Sequence, residues 1–377
     1  MENNKDRFQS TTATAATLLD LMIKGQLINP AISLVTKLKI TEYLKDGPKN
    51  VLQLSEKTNS NPSALYRLLR MLSSVGIFSE IEGKDDDEEK DRQFKLTTLA
   101  YDFSDEKNIV KNMSQLLDLQ SFKNAINNLS YSIESGKNAF QHVNNLNLFD
   151  FLQQNKDDAK VFNNAMTAMT TSQLSSLSSI YDFSQFNCLA DIGGGQGSLL
   201  LDILNTNSKL NGILFDLPFV IESIQRILNT ESGNSNKEIL SSRCRLIAGD
   251  FFKSFPFTAD GIIIKNVVLN WDDKSVMTIF KNCLQSIQTF KRENPEKQNL
   301  KPKLIIIDII MPEKNDPFIG SALDILMLIL THSGRIRTKK EFSKILENSG
   351  FHISKIKRVS SDPLNFISII EAIPSSI

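Results

Sequence analysis

From Cys188 onward the chain repeats one alternation, a short apolar run followed by an amphipathic helical stretch. The runs are CLADIG, GILFDL, CRLIAG, GIIIKNVV and KLIIIDII. Each is short and rich in Ile, Leu or Val, the composition of strands covered on both faces of a parallel sheet. SLLLDILNTN, FVIESIQRILNT, KSVMTIFKNCLQSIQTF and KKEFSKILENSG carry the helical spacing between and after them. Strands and helices in this order specify a doubly wound, Rossmann-like α/β domain.

The N-terminal part reads differently. Residues 11 to about 130 are mostly helical in pattern, with a first helical stretch broken near Pro30 and a second ended at Gly47-Pro48. LQLSEKT, NSNPSA and LYRLLRMLSSVGIF then read as helix, turn and helix. FSEIE and RQFKLT flank an acidic loop and read as a β-hairpin, with Lys84 to Asp91 at its solvated tip. That is a winged-helix outline. A length of 377 residues accommodates two domains. We expect a helical winged-helix domain over 1–135 and the α/β domain over 136–377.

Charge and cysteine usage narrow the functional classes. Forty-three Lys and Arg balance 43 Asp and Glu, so no overall field draws the chain to nucleic acid or to an anionic membrane. A winged-helix regulator remains the alternative for the first domain, but the neutral charge and acidic wing argue against phosphate contact. Cys188, Cys244 and Cys283 are odd in number and far apart. They read as reduced thiols of a cytoplasmic protein, with no metal site. No uninterrupted apolar run is long enough to span a bilayer, and the polar start has no signal core.

The first strand ends in Asp191-Ile-Gly193-Gly194-Gly195-Gln-Gly197-Ser, and a helix follows. Glycines there allow a tight turn and let a ligand approach backbone N–H groups. Asp216 closes the second strand, where a carboxylate can accept hydrogen bonds from ribose hydroxyls, and Asp250 closes the third. The pattern differs from the dinucleotide fingerprint. An acid ahead of the glycines tolerates a cationic ligand better than a pyrophosphate, which favours S-adenosyl-L-methionine over a dinucleotide.

Taken together these segments resemble the small-molecule O-methyltransferases typified by the plant caffeate and flavonoid enzymes. The likeness covers nearly the whole chain, including LADIGGGQG, FDLPFVIE, GDFF, IIIDIIMPE and DILMLILTHSGRIRTKKEFSKILENSGF. It implies that Gly193 lies beside the cofactor, Asp216 holds its ribose, Asp250 and Phe251 frame the adenine, and Lys265 reaches the methionine carboxylate. It also implies a homodimer packed through the N-terminal domain.

The likeness fails at two of the family's three catalytic positions. The family's segment runs roughly Lys-x-x-x-His-Asp-Trp-x-Asp. Here it runs Lys265-Asn-Val-Val-Leu269-Asn270-Trp271-Asp272-Asp273. The family's histidine takes the proton from the substrate hydroxyl, and its position is Leu269. Of the two carboxylates that orient it in the family, one is retained as Asp308 and the other has become Ile336. We therefore expect an impaired or inactive member of the family. The alternative is an enzyme acting on a small phenolic or already ionised acidic substrate, with His332 as substitute base. Asp272 and Asp273 read as caps of a helix starting at Lys274. His142 and His352 stand beside no motif.

Overall fold

The computed structural model describes the chain except residues 1, 82–87, 102, 104, 106, 231–234, 298–299, 315–318, 360–365 and 376–377, and the side chains of 2–13, 227–230, 235–237, 241 and 297. It divides into two compact units, Met1–Leu119 and Gln120–Ile377. The boundary expected between 135 and 136 lies inside the second unit, just after the helix Leu129–Ser135.

The first unit opens with one helix, Glu2–Lys37, that runs through Pro30. The break expected at Pro30 does not occur. A proline removes one backbone hydrogen bond, but the turn after it is buried: Ala31, Ile32, Ser33 and Val35 pack into the unit's core. That burial holds the helix continuous. The helix Val51–Thr58 begins with a reciprocal capping box between Asn50 and Gln53, and Asn61 caps the helix Pro62–Ser74 with Pro62 in its first turn. Strands β1 (Lys49–Asn50), β2 (Phe78–Glu80) and β3 (Gln93–Leu96) form an antiparallel sheet in the order β1-β3-β2. The winged-helix outline is thus present. The first half of the expected acidic tip, 84–87, lies outside the described residues. Its described end, Glu89–Asp91, is a single 3₁₀ turn, where Glu89 accepts from Ser63.

The first helix is exposed around its circumference from Thr14 to Leu27, with only Lys24 half-buried. Leu18, Leu19, Leu21, Met22, Ile23 and Leu27 are 48–68% exposed. The stretch Thr14–Lys37 is long and apolar enough, by length and composition, to cross a membrane. It is not the uninterrupted apolar run that the sequence was expected to lack, because Asp20 and Lys24 lie within it. One helical turn apart, Asp20 and Lys24 pair at 2.9 Å.

The second unit is built on strands β4 (Cys188–Ile192), β5 (Asn211–Asp216), β6 (Cys244–Ala248), β7 (Gly261–Lys265), β8 (Lys303–Met311), β9 (Arg337–Thr338), β10 (Phe351–Arg358) and β11 (Ile367–Pro374). The order is β10-β11-β8-β7-β4-β5-β6, with β9 beside β8. The five expected strands are β4 to β8, and they run parallel. The sheet is mixed, because β10 and β11 add an antiparallel edge. One apolar cluster fills each face of the sheet. The helix Asp273–Glu293 contributes Val276, Ile279, Phe280, Cys283 and Ile287 at helical spacing to one of them. From β4 the chain moves outward to β5 and β6, then returns to β7 on the other side of β4. The order reverses between β4 and β7, and a crevice at their carboxyl ends is where such a sheet places ligands.

Candidate active site

Four charged side chains gather at those strand ends. Asp191 is the penultimate residue of β4, Asp216 ends β5 and Lys265 ends β7. Ile307 pairs with Lys265, so Asp308 stands one residue beyond the end of β7. The glycine turn follows β4 directly. Gly193 has φ +68°, and a Cβ there would lie 2.8 Å from Val267 Cγ2 and 3.8 Å from Phe251 Cε1. Its N–H donates to Phe215 O at 2.8 Å. Gly195 (φ +57°) donates its N–H to Asp216 Oδ2 at 2.8 Å, and Leu217 N–H donates to Asp216 Oδ1 at 2.7 Å. Asp216 therefore fixes the turn with the same carboxylate expected to hold ribose.

Burial sets the electrostatics. Asp191 is 1% exposed, and its Oδ1 has no hydrogen-bond partner. Burial and the nearby Asp216 carboxylate push its carboxyl up to about 7, against the pull of the Lys265 ammonium. Burial lowers Lys265 to about 8, and Asp191 and Asp308 partly offset this. Lys265 Nζ donates to Thr170 Oγ1 at 3.2 Å. Asp308, also 1% exposed, is pushed up to about 7 by burial. Its oxygens accept from the N–H groups of Ile309 and Leu269, at 2.7 and 3.3 Å. The site presents one unmet acceptor, Asp191 Oδ1, and an ammonium, Lys265. It fits a ligand carrying both a cation and a carboxylate.

The adjoining wall is aromatic. Asp250 follows β6, and its Oδ1 accepts from Phe252 N–H at 2.9 Å. Phe251 lies 5.9 Å and Phe252 4.7 Å from Trp271, centroid to centroid, and Phe149 stacks on the far side at 6.1 Å. Beyond them is a cavity of about 240 Å³ lined by Leu148, Phe149 and Trp271 and by the polar Gln141, Asn147, Asn270, Thr331 and His332.

Leu269 lies on a 3₁₀ turn, Val268–Asn270, at the cavity's edge. Its side chain offers no proton acceptor. Gly334 locks the Thr331–Gly334 loop onto this turn, since a Cβ there would sit 2.5 Å from Leu269 O. The same loop brings the exposed His332 to the cavity. Ile336, where the resemblance expects the second acid, is 4% exposed and belongs to an apolar cluster with Ile307 and Ile309. His142 stacks on Tyr131 at 3.9 Å, and His352 lies on the edge strand β10.

The helix after Trp271 starts at Asp273, one residue earlier than expected. Asp272 is its cap, accepting from Ser275 N–H at 2.7 Å. Asp273 has another partner, Arg337. This arginine is 1% exposed and donates to Asp273 at 2.8 and 2.9 Å, to Trp271 O at 2.7 Å and to Val268 O at 3.0 Å. Sequence reasoning missed Arg337, as well as Thr170 and Asp324, which accepts from Ile336 N–H at 2.6 Å. Arg337 sits in a visibly basic run, RIRTKK, and nothing in that run distinguishes a buried arginine from its solvated neighbours.

Residues 126–352 match the O-methyltransferase domain, and residues 21–104 match the O-methyltransferase dimerisation domain. The chain belongs to the O-methyltransferase family. The winged-helix unit is accordingly the family's dimerisation domain. The phenazine O-methyltransferase PhzM of Lysobacter antibioticus is 28% identical over 373 residues, covering 99% of both chains. The solved structure of the mitomycin 7-O-methyltransferase MmcR superposes with a TM-score of 0.80 at 26% identity, covering 97% of this chain and 99% of that one. A third relative, 29% identical and covering 92% of this chain and 96% of its own, carries the name "Probable inactive O-methyltransferase 11" in Dictyostelium discoideum.

Proposed function

We propose that this family member binds S-adenosylmethionine at the carboxyl ends of β4, β5 and β7 but has lost most of its capacity to transfer the methyl group. Leu269 carries the reading. It occupies the family's base position beside the retained Asp308, which accepts from its backbone N–H. The cofactor supplies an electrophilic methyl on a sulfonium. The chain's own residues must bind it, place the acceptor and remove the acceptor's proton. The donor set suits binding, with Asp191 and Asp216 for the ammonium and ribose, Lys265 for the carboxylate, and Asp250 and Phe251 for the adenine. Proton removal has no residue at the family position. A phenol ionises near pKa ~10, so about one part in a thousand is nucleophilic at neutral pH. General-base help is worth about 10²–10⁴ in rate, and that is the expected deficit. The relative named as inactive supports this reading.

The test is calorimetry with S-adenosylmethionine and its demethylated product, then labelled methyl transfer to phenols and carboxylic acids. We expect binding without efficient turnover. Asp216→Ala should weaken binding by more than about tenfold, because ribose hydroxyls and Gly195 N–H both lose their acceptor. Absence of binding by the folded protein would overturn the proposal. One observation favours a second reading, an active enzyme: His332 lines the cavity. Ordinary turnover of a phenol that is lost in His332→Ala would establish it.

Cofactor affinity should follow pH in a bell. A ligand cation favours ionised Asp191, so affinity rises with pH through about 7, the value to which Asp191 is pushed. A ligand carboxylate favours protonated Lys265, so affinity falls above about 8. The maximum lies between. Asp191→Asn should flatten the acidic limb, as read by calorimetry at fixed ionic strength.

We assign the exposed face of the first helix to a second copy of the chain, as the dimerisation domain suggests. The double variant Leu18→Glu, Met22→Glu puts charge on two adjacent turns of that face. It should halve the mass seen by light scattering at micromolar concentration. An unchanged mass would place the contact elsewhere.

A further inference from the structure

Among the described residues, three buried side chains hold polar atoms with no hydrogen-bond partner: Ser132, Asp191 and Gln173. Gln173 is the most demanding. It is 0% exposed, and both its Nε2 and its Oε1 are unpartnered. An amide buried in this way carries a desolvation cost that a leucine at the same position would not.

Its place in the fold suggests what the amide serves. Gln173 lies on the helix Lys156–Ile180, three residues after Thr170 and four before Leu177, so the three share one face. Thr170 accepts from Lys265 at the end of β7. Leu177 packs in the cluster that contains Leu199, Leu214 and Ile263. Leu214 and Ile263 are the two strand neighbours of Asp191, and Leu199 opens the helix that follows the glycine turn. Along the helix, Gln173 stands between a residue that touches Lys265 and one that joins the apolar cluster beneath the glycine turn. Asp191, with its own unpartnered Oδ1, lies in that same stretch of the sheet.

We infer that Gln173 is a positioning residue for the zwitterionic amino-acid tail of the cofactor. Its Oε1 accepts from the ammonium, alongside Asp191, and its Nε2 donates to the carboxylate, alongside Lys265. A carboxamide is the one uncharged side chain that both donates and accepts through fixed, adjacent atoms. It can therefore bridge the tail's two charges without adding a third charge to a pocket that already holds Asp191, Asp216 and Lys265. The inference rests on the S-adenosylmethionine reading above.

The experiment compares ligands with and without the tail. Calorimetry is run on the full chain and on Gln173→Met, which keeps length and removes hydrogen bonding, using S-adenosylhomocysteine and 5′-methylthioadenosine. Affinity for S-adenosylhomocysteine should fall by about tenfold or more in the variant, while that for methylthioadenosine stays within about twofold. The ligand-free variant should melt no lower than the wild type, since an unpaired amide has been removed. Gln173→Leu provides the same comparison if the methionine variant does not fold. An equal change for both ligands, or none, would overturn the inference. If the wild type binds neither ligand, the cofactor reading itself has failed. Wild-type binding that is indifferent to Gln173 removes only the role given to this residue.

Discussion

Leu269→His combined with Ile336→Glu should raise methyl transfer to phenols by about 10²-fold or more over the wild type, and by more than the two single changes together. A base and the acid that orients it act as a unit, so neither half restores much alone. The structure gives each single change its own handicap. A histidine at 269 would have Asp308 nearby, but that carboxylate already accepts from two backbone N–H groups. A glutamate at 336 would replace a side chain that is 4% exposed among Ile307 and Ile309. Alone it would bury an unpaired acid and lower the melting temperature. Paired with the new imidazole it gains a hydrogen bond, so the double variant should melt higher than Ile336→Glu. Labelled methyl transfer and thermal melts on all four proteins read both effects. Turnover by Leu269→His equal to that of the double variant would show that the second acid is dispensable.

Arg337→Met should produce the largest loss of stability of any substitution near the site. The guanidinium reaches Val268 O and Trp271 O and forks onto Asp273, which links β9, the 3₁₀ turn and the start of the next helix. Methionine fills much of the volume and satisfies none of these acceptors. Asp273 is half exposed and can turn to water, and Val268 O keeps the Trp271 N–H at 3.3 Å, but Trp271 O loses the arginine that donates to it at 2.7 Å. Counting about 1–3 kcal/mol for each acceptor left unpaired, the cost is about 3 kcal/mol. For a unit of this size that is a melting shift of roughly 6–12 °C. Arg337→Lys should recover little, because a lysine cannot fork to several partners. A shift under about 2 °C for the methionine variant would contradict the role given to Arg337.

The parallel strands were legible because burial on both faces writes them as continuous apolar runs such as KLIIIDII. β10 was not, because FHISKIKR is an edge strand with one wet face and five of its eight residues polar. Pro30 misled for a different reason: a local rule about one lost hydrogen bond was outweighed by the buried turn that follows it. At the site, Asp191, Asp216, Lys265 and Leu269 could be located because each has a fixed offset from a strand end. Arg337 and Gln173 could not. RIRTKK and TTSQLSS are mostly polar runs, and only the assembled sheet shows that Arg337 and Gln173 are enclosed.

The exposed apolar face on the first helix makes this protein's stability a matter of mass action. If that face is covered only in the dimer, unfolding of the native form is also dissociation, and its free energy includes the concentration of chains. Each tenfold dilution then removes about 1.4 kcal/mol per dimer from the folded state. A newly made chain at low copy number exposes Leu18, Met22 and their neighbours until it meets its twin. With the dimer contact proposed above, the abundance of the protein would regulate its own folding.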